Sequence, residues 1–203
     1  MNRISIINAL IAKNNYKTYL EIGVQAGNCF RAIECETKIG VDPDKTSAAT
    51  HHFTSDDFFD IMGLPPASQV LPKTFDIIFI DGLHHSDQVI KDISNSLKYL
   101  TEGGTIVMHD CLPTSKLMQE IPLRPDHDEW TGDTWKAFVY MRTSNKNLKM
   151  VVVDTDYGCG ILQKGTQECI EVDQELTFEN FQINRNHWMN VISVAEFKQK
   201  YLD

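Results

Sequence analysis

Residues 75–110, FDIIFIDGLHHSDQVIKDISNSLKYLTEGGTIVMHD, outline the fold. The apolar run Phe75–Ile80, closed by Asp81-Gly82, reads as a strand buried on both faces. Val89, Ile93, Leu97 and Leu100 recur four, four and three apart. That spacing predicts one face of a helix from about Ser86 to Leu100. Ser86 is placed to cap its first turn, and Gly103-Gly104 to end it. Ile106–Met108 is a second short buried strand, ending in His109-Asp110. Two adjacent parallel strands then carry Asp81, His84, His85, His109 and Asp110 to one edge of a sheet. The carboxyl edge of an open α/β sheet is where ligands bind.

Upstream, Ile4, Ile7 and Ile11 have helical spacing, so residues 1–15 read as an amphipathic helix closed by Asn14-Asn15. Thr18–Ile22 is a β-prone run before Gly23 and reads as the first strand. Gly27-Asn28 opens a short helix carrying Phe30 and Ile33. A second strand, Lys38–Val41, ends at Asp42, where Pro43 breaks the chain. A third strand is expected near His51–Thr54, then a helix from Thr54-Ser55-Asp56-Asp57 and a turn at Gly63-Leu64-Pro65-Pro66. Downstream, residues 112–133 are irregular and polar, with Pro113, Pro122 and Pro125. Structureless loops longer than about 12–15 residues are often functional, and this one leaves a strand's carboxyl end, as a lid would. A helix over Trp135–Met141 follows, then a hairpin from Lys149–Val153 and Cys159–Gln163. The tail, 174–203, reads as largely helical. Its Phe181, Trp188 and Phe197 either cover the sheet or meet a second subunit in a homodimer. The whole is an α/β chain of one domain, 1–203, with a mostly parallel sheet, a C-terminal antiparallel hairpin strand and helices on both faces.

The formal charge of −9, from 28 acids and 19 bases, argues against a nucleic-acid partner, since such binding relies on cations meeting phosphates. No apolar run approaches the roughly 20 residues of a membrane helix. Nor does the start of the chain have the long apolar core of a secretory signal. The five cysteines are scattered, with no C-x-x-C pair, and suit reduced thiols in the cytoplasm better than disulfides or zinc.

The turn Glu21-Ile22-Gly23-Val24-Gln25-Ala26-Gly27 follows the first strand, and Asp42 ends the second. A glycine turn admits a ligand close to the backbone, and an acid at that strand end suits a ribose. The dinucleotide pattern G-x-G-x-x-G is not met, because Gln25 and Asn28 stand at its second and third glycines. Together, EIGVQAGNCF and GVDPD resemble the cofactor half of class I S-adenosylmethionine-dependent methyltransferases. FDIIFIDGLHHSDQV with GGTIVMHD is similar to small methyltransferases of the methyltransferase-domain-24 kind, relatives of macrocin- and mycinamicin-type sugar O-methyltransferases. The resemblance spans roughly residues 17–163. It implies a Rossmann-like methyltransferase sheet and S-adenosylmethionine as cofactor. By the same resemblance Glu21, Gly23 and Gly27 line the methionine part, Asp42 holds the ribose, and Ser55-Asp56 lie beside the adenine. Some members bind a divalent ion such as Mg²⁺. Position by position, Asp81 and Asp110 then match the metal carboxylates and His84 the general base, with Asp81 also bordering the cofactor. His109 stands where relatives often carry a carboxylate, and is the third metal candidate despite the preference of hard ions for oxygen.

The chemistry implied is O-methylation of a sugar or other small polar hydroxyl acceptor. The donor sulfonium is already activated, so the protein must position an acceptor oxygen and take its proton, a task for histidine. A metal at Asp81 and Asp110 would acidify the hydroxyl. Against this stand plainer roles: a loop position for His84 or His85, a loop hydrogen bond for His109, a helix cap for Asp81 or Asp133. His51 and His52 read as surface residues, and His127 and Asp128 as a solvated loop. Trp135 reads as core, while Trp130 is open between core and an aromatic wall for a sugar. Two other functions compete: an NAD-linked oxidoreductase and a non-catalytic cofactor-binding protein of the same fold. A nucleic-acid or amine methyltransferase fits less well. Asp81-Gly82-Leu83-His84 stands where such enzymes carry an Asn/Asp-Pro-Pro-aromatic turn, and Pro65-Pro66 precedes the strand.

Overall fold

Strand β3 (Phe75–Ile80) is flanked by β1 (Thr18–Ile22) and β4 (Leu100–Met108), both parallel to it. In the computed structural model, which describes residues 1–64, 71–126 and 129–203, they belong to a seven-stranded sheet ordered β2-β1-β3-β4-β6-β5-β7. Strand β2 (Thr37–Val41) is parallel to β1, and β6 (Cys159–Lys164) runs antiparallel to both β4 and β5 (Leu148–Val153). The Pro65-Pro66 turn and His127-Asp128 lie outside the described residues.

Side-chain alternation builds two cores, one per face of the sheet. Ile78 and Ile80 of β3 join Leu20, Ile22, Ile106 and Met108 on one face, under α3 (Ser55–Met62), α4 (Ser86–Tyr99), α5 (Thr134–Ser144) and α6 (Phe178–Met189). Ile77 and Phe79 point to the other, with Tyr19, Val107 and Val151, under α1 (Arg3–Asn14), α2 (Asn28–Ala32) and α7 (Val194–Tyr201). Each such fully buried side chain contributes roughly 1.5–3 kcal/mol, which is why β3 is apolar at nearly every position. Trp135 is fully buried as core, stacked with Trp188 at 6.2 Å between ring centres. Phe181 and Phe197 are also buried within the chain, so the tail covers the sheet. No helix among the described residues is long and apolar enough to cross a membrane.

Four local expectations change. The third strand shrinks to one parallel bridge, Val41 to His51, because the segment 44–54 spends its polar groups on turns such as Thr46 N–H to Asp44. Gly103-Gly104 does not end α4. The helix stops at Tyr99, and the glycines form an irregularity inside β4, between the pairs Phe75–Leu100 and Ile77–Thr105. Ser86 does not cap α4 with its own side chain. Asp133 is the N-cap residue of α5, as expected, but its carboxylate serves α4, accepting from Ser86 N–H at 2.7 Å and from Ser86 Oγ–H at 3.1 Å. Last, the tail contains a short edge strand, β7 (Val191–Ile192), parallel to Val152–Val153, which two residues between helices do not signal.

Candidate active site

The chain leaves β1 for β2 on one side and later enters β3 on the other, so the crevice between β1 and β3 is the sheet's switch point, where ligands bind in open α/β sheets. The β1 turn lies almost against the β3 turn. Gly23 has φ +87°, and a Cβ there would stand 2.1 Å from the Asp81 carbonyl oxygen. Only glycine fits. The contact is pinned by Gly23 N–H to Val41 O and Asp81 N–H to Ile22 O, both 2.9 Å.

A cavity of about 440 Å³ opens at this crevice, lined by Gly23, Gln25, Asp42, Ser55, Asp56 and Asp81, with Phe53, Leu83 and Gln88 also on its wall. Five of the seven cofactor residues read from sequence are thereby together. The other two, Glu21 and Gly27, line a smaller recess of about 80 Å³ that shares Gly23, Gln25 and Asp81 with the first. Asp42 is largely committed to the backbone. Its Oδ2 accepts from Val24 N–H at 3.0 Å and Gln25 N–H at 2.8 Å, and its Oδ1 from Asp44 N–H at 2.9 Å. It therefore shapes the glycine turn, and Oδ1 keeps acceptor capacity for a ligand. Gln88 was not foreseen. Its amide N–H₂ serves Ser55 Oγ (3.2 Å), Asp56 Oδ1 (3.1 Å) and Asp92 Oδ1 (3.1 Å), tying α4 to the start of α3. Burial pushes the Asp92 carboxyl up to about 6 and that of Glu21 up to about 7, the latter despite the hydrogen bond donated by the Tyr19 hydroxyl.

Beside it lies a second cavity, about 350 Å³, lined among others by Arg3, Gln25, Asp81, His84, His109, Asp110, Trp130 and Tyr157. Asp81 and Gln25 belong to all three recesses. His84 is held between two acids, Nε2 3.4 Å from Asp81 Oδ1 and Nδ1 3.4 Å from Asp110 Oδ2. Burial lowers its pKa, but the hydrogen bond to Asp81 and the charges of Asp110 and Asp81 outweigh this and raise it. His85 sits instead at the N-cap of α4, edge-on to Trp130. His109 ties a neighbouring loop, as its plainer reading expected, and also faces the two acids. Its Nδ1 lies 3.3 Å from Asp81 and 3.2 Å from Asp110, and its Nε2 3.5 Å from Asp156. Burial works against its charge, yet the bonds to Asp110, Asp156 and Asp81 push its pKa up to about 11. Burial alone would raise the Asp81 carboxyl, whereas the bonds and charges of His109 and His84 hold it well below the usual carboxylate range.

Among the described residues, the atoms close enough for one cation belong to Asp81, His84 and Asp110, all within 4.8 Å of one another. The sequence-based set had His109 in the place of His84. His84 Nδ1 is buried without a hydrogen-bond partner, so its lone pair is free to ligate. Two carboxylates and one imidazole fit a divalent ion of borderline hardness.

Arg3 and Asp156 complete the network, and sequence reading missed both. Asp156, in the β5–β6 turn, accepts from the Arg3 backbone N–H at 2.8 Å and from Arg3 Nη1 at 3.0 Å, while Arg3 Nε lies 3.8 Å from Asp81. Arg3 left a signal, since a cation in the first turn of a helix opposes the macrodipole and calls for a partner. Asp156 left none, being an ordinary turn residue by type. The segment after β4 folds back over the site through Thr131 N–H and Gly132 N–H, both bonded to Met118 O, and Asp133 N–H, bonded to His84 O at 3.0 Å. A Cβ on Gly132 would stand 2.0 Å from the same His84 oxygen. Trp130 stacks on His84 at 5.0 Å between ring centres, and its N–H is donated to Glu120 O. His51 pairs with Val41 and lies edge-on to Phe58, away from the acid cluster.

Residues 20–111, a little under half of the chain, match the family model Methyltransf_24, described as a methyltransferase domain. A curated relative, the uncharacterized protein R132 of Acanthamoeba polyphaga mimivirus, is 30% identical over 112 residues, covering 46% of this chain and 51% of its own. The match thus spans about half the length of that relative. Among solved structures, the O-methyltransferase TomG of Streptomyces achromogenes, involved in tomaymycin synthesis and in complex with S-adenosylmethionine, aligns with a TM-score of 0.59. It is 16% identical and covers 79% of this chain and 78% of its own. A Bacillus cereus O-methyltransferase in complex with S-adenosylhomocysteine also aligns at 0.59, with 12% identity and 79% of both chains covered. At such identities the likeness establishes the fold alone, a Rossmann-like α/β sheet of the kind those two methyltransferases have.

Proposed function

We propose that this chain is an S-adenosylmethionine-dependent O-methyltransferase acting on a sugar or another small polar hydroxyl compound. The observation that carries the reading is the pair of adjoining cavities with Asp81 and Gln25 in their common wall. One has the residues for a nucleoside, the other the acids and histidines for proton transfer. The methyltransferase-domain match and the cofactors named for the two solved structures support the choice of donor.

In the reaction the acceptor oxygen attacks the sulfonium methyl in line, the new O–CH₃ bond forms as the C–S bond breaks, and the thioether leaves neutral. The hydroxyl proton goes to His84, which the Asp81 and Asp110 carboxylates orient. Those same acids favour the protonated imidazole, so the base form becomes abundant only as pH rises. Asp81, His84 and Asp110 would alternatively hold a divalent ion, which would supply Lewis acidity to a bound hydroxyl in place of His84 acting as base. Trp130 backs His84 and closes that side of the cavity to water. The charged and polar residues that line the second cavity favour a hydroxyl-rich acceptor over a flat aromatic one. The test is transfer of labelled methyl from S-adenosylmethionine to a panel of free and nucleotide-linked sugars, with analysis of the ether formed. Product with His84→Ala as active as the parent overturns the assignment of the base. A panel that stays unlabelled beside labelled catechols overturns the acceptor class.

A further inference from the structure

At the opposite end of the sheet from the acid cluster, where Lys149 of β5 faces Gln163 of β6 and Gln163 faces Thr105 of β4, lies another cavity of about 560 Å³. It runs along the edge of β5 that β7 leaves uncovered, since β7 pairs only with Val152 and Val153. Its charged lining is Arg142, Lys149 and Lys200 against a single acid, Glu168. Such a cationic pocket is out of keeping with a chain of net charge −9.

Arg142 is the anchor. It is 8% exposed, and its Nη1 donates to the carbonyls of His187 and Trp188 at the end of α6. Its Nε is buried with no hydrogen-bond partner, and among the described residues no carboxylate forms an ion pair with the guanidinium. Burial lowers its pKa, opposed by the charge of the Cys169 thiol. A buried guanidinium without an acid is costly unless an anion completes it. Lys149 is also held in place. Its Cγ, Cδ and Cε lie over Gly165, where an added Cβ would come within 2.8–3.0 Å of them. Asn190, Gln163 and Gln167 add neutral polar groups, with the Asn190 amide fixed by Met150 O at 2.7 Å.

We infer that this cavity is a second binding site, separate from the methyl-transfer site, for a small phosphate-bearing anion. Three cations with fixed amides between them match a group of nearly two negative charges and three acceptor oxygens better than a single carboxylate. Arg142, fixed through Nη1 by the His187 and Trp188 carbonyls, lends its charge to one wall, and Lys149 and Lys200 supply the ammonium groups that would meet the anion.

The test is calorimetric titration of the full chain with pyrophosphate, beside malonate at the same ionic strength. Pyrophosphate is expected to bind saturably at one site per chain. Lys149→Glu combined with Lys200→Glu changes two exposed positions, and should weaken it about tenfold or more with an unchanged melting temperature. Arg142→Lys, which keeps the charge and loses the fork, should weaken it too. If that variant fails to fold, the lysine pair still decides. No saturable heat, an unchanged affinity in the lysine pair, or malonate binding as tightly as pyrophosphate would each overturn the inference.

Discussion

Gly23→Ala is the substitution whose cost the structure fixes best. The residue has φ +87°, so any side chain adds about 1–2 kcal/mol of backbone strain. The new Cβ would also lie 2.1 Å from Asp81 O, 2.5 Å from Asp81 C and 2.5 Å from Gly82 Cα. All three are backbone atoms, so no rotamer change relieves them. The two turns must separate by about 1 Å to reach an ordinary contact, which strains or breaks the bond from Asp81 N–H to Ile22 O, worth about 1 kcal/mol. With loosened packing at Ile22 and Ile80, the total comes to about 3–4 kcal/mol. At a urea dependence of about 2 kcal/mol per molar, the midpoint falls by about 1.5–2 M, read by tryptophan fluorescence. Gly103→Ala is the control. It has φ +78° but open space around its Cβ position, so it bears the strain alone, about 1–2 kcal/mol. Equal shifts for the two variants would refute the reasoning that close approach, rather than φ, makes Gly23 necessary.

Asp133→Ala removes both bonds to Ser86 and the ion pair to Lys136, and should cost about 2 kcal/mol in thermal or chemical unfolding. A loss below about 0.5 kcal/mol would show that α4 does not depend on this cap. His109 holds its proton up to about pH 11 in the folded chain against about 6.5 unfolded, so its stabilisation is complete below pH 6.5 and is lost as pH climbs towards 11. Melting temperature should therefore fall between pH 7 and 10, and His109→Gln should flatten that slope; a slope kept by the variant contradicts it. Asp156, held below the usual carboxylate range chiefly by its bond to His109, acts oppositely, its contribution present above about pH 4 and lost as acid protonates it. In chelator-treated protein, kcat/KM for methyl transfer should rise with pH through a pKa above that of free histidine, because the acids around His84 raise it. Asp110→Asn should move that limb to lower pH, and an unmoved limb would remove His84 from the role of base.

Much of this architecture is local in origin and so legible in sequence. Phe75–Ile80 is apolar because both faces of β3 are covered, and the helix after it shows its buried stripe at Val89 and Ile93. Asp81 and Asp110 follow directly from the ends of those strands. What escaped is set by tertiary contact. Arg3 and Asp156 meet across 153 positions, and neither type nor spacing foretells the pairing. The partner of His109 Nε2, Asp156, comes from a turn 47 positions away, which no local pattern announces. The Gly103-Gly104 pair has the composition of a turn, yet the pairing of Leu100 with Phe75 starts the strand before it. The one-residue bridge at His51 and the two-residue β7 are too short for any periodicity to register.

The central claim is that the crevice between β1 and β3 takes the methyl donor. Titrating the chain with S-adenosylhomocysteine in a calorimeter tests it most directly. One molecule is expected to bind per chain at micromolar affinity, and binding is expected to be lost in Gly23→Ala. Absence of binding at high micromolar concentration, with the chain folded, would contradict it.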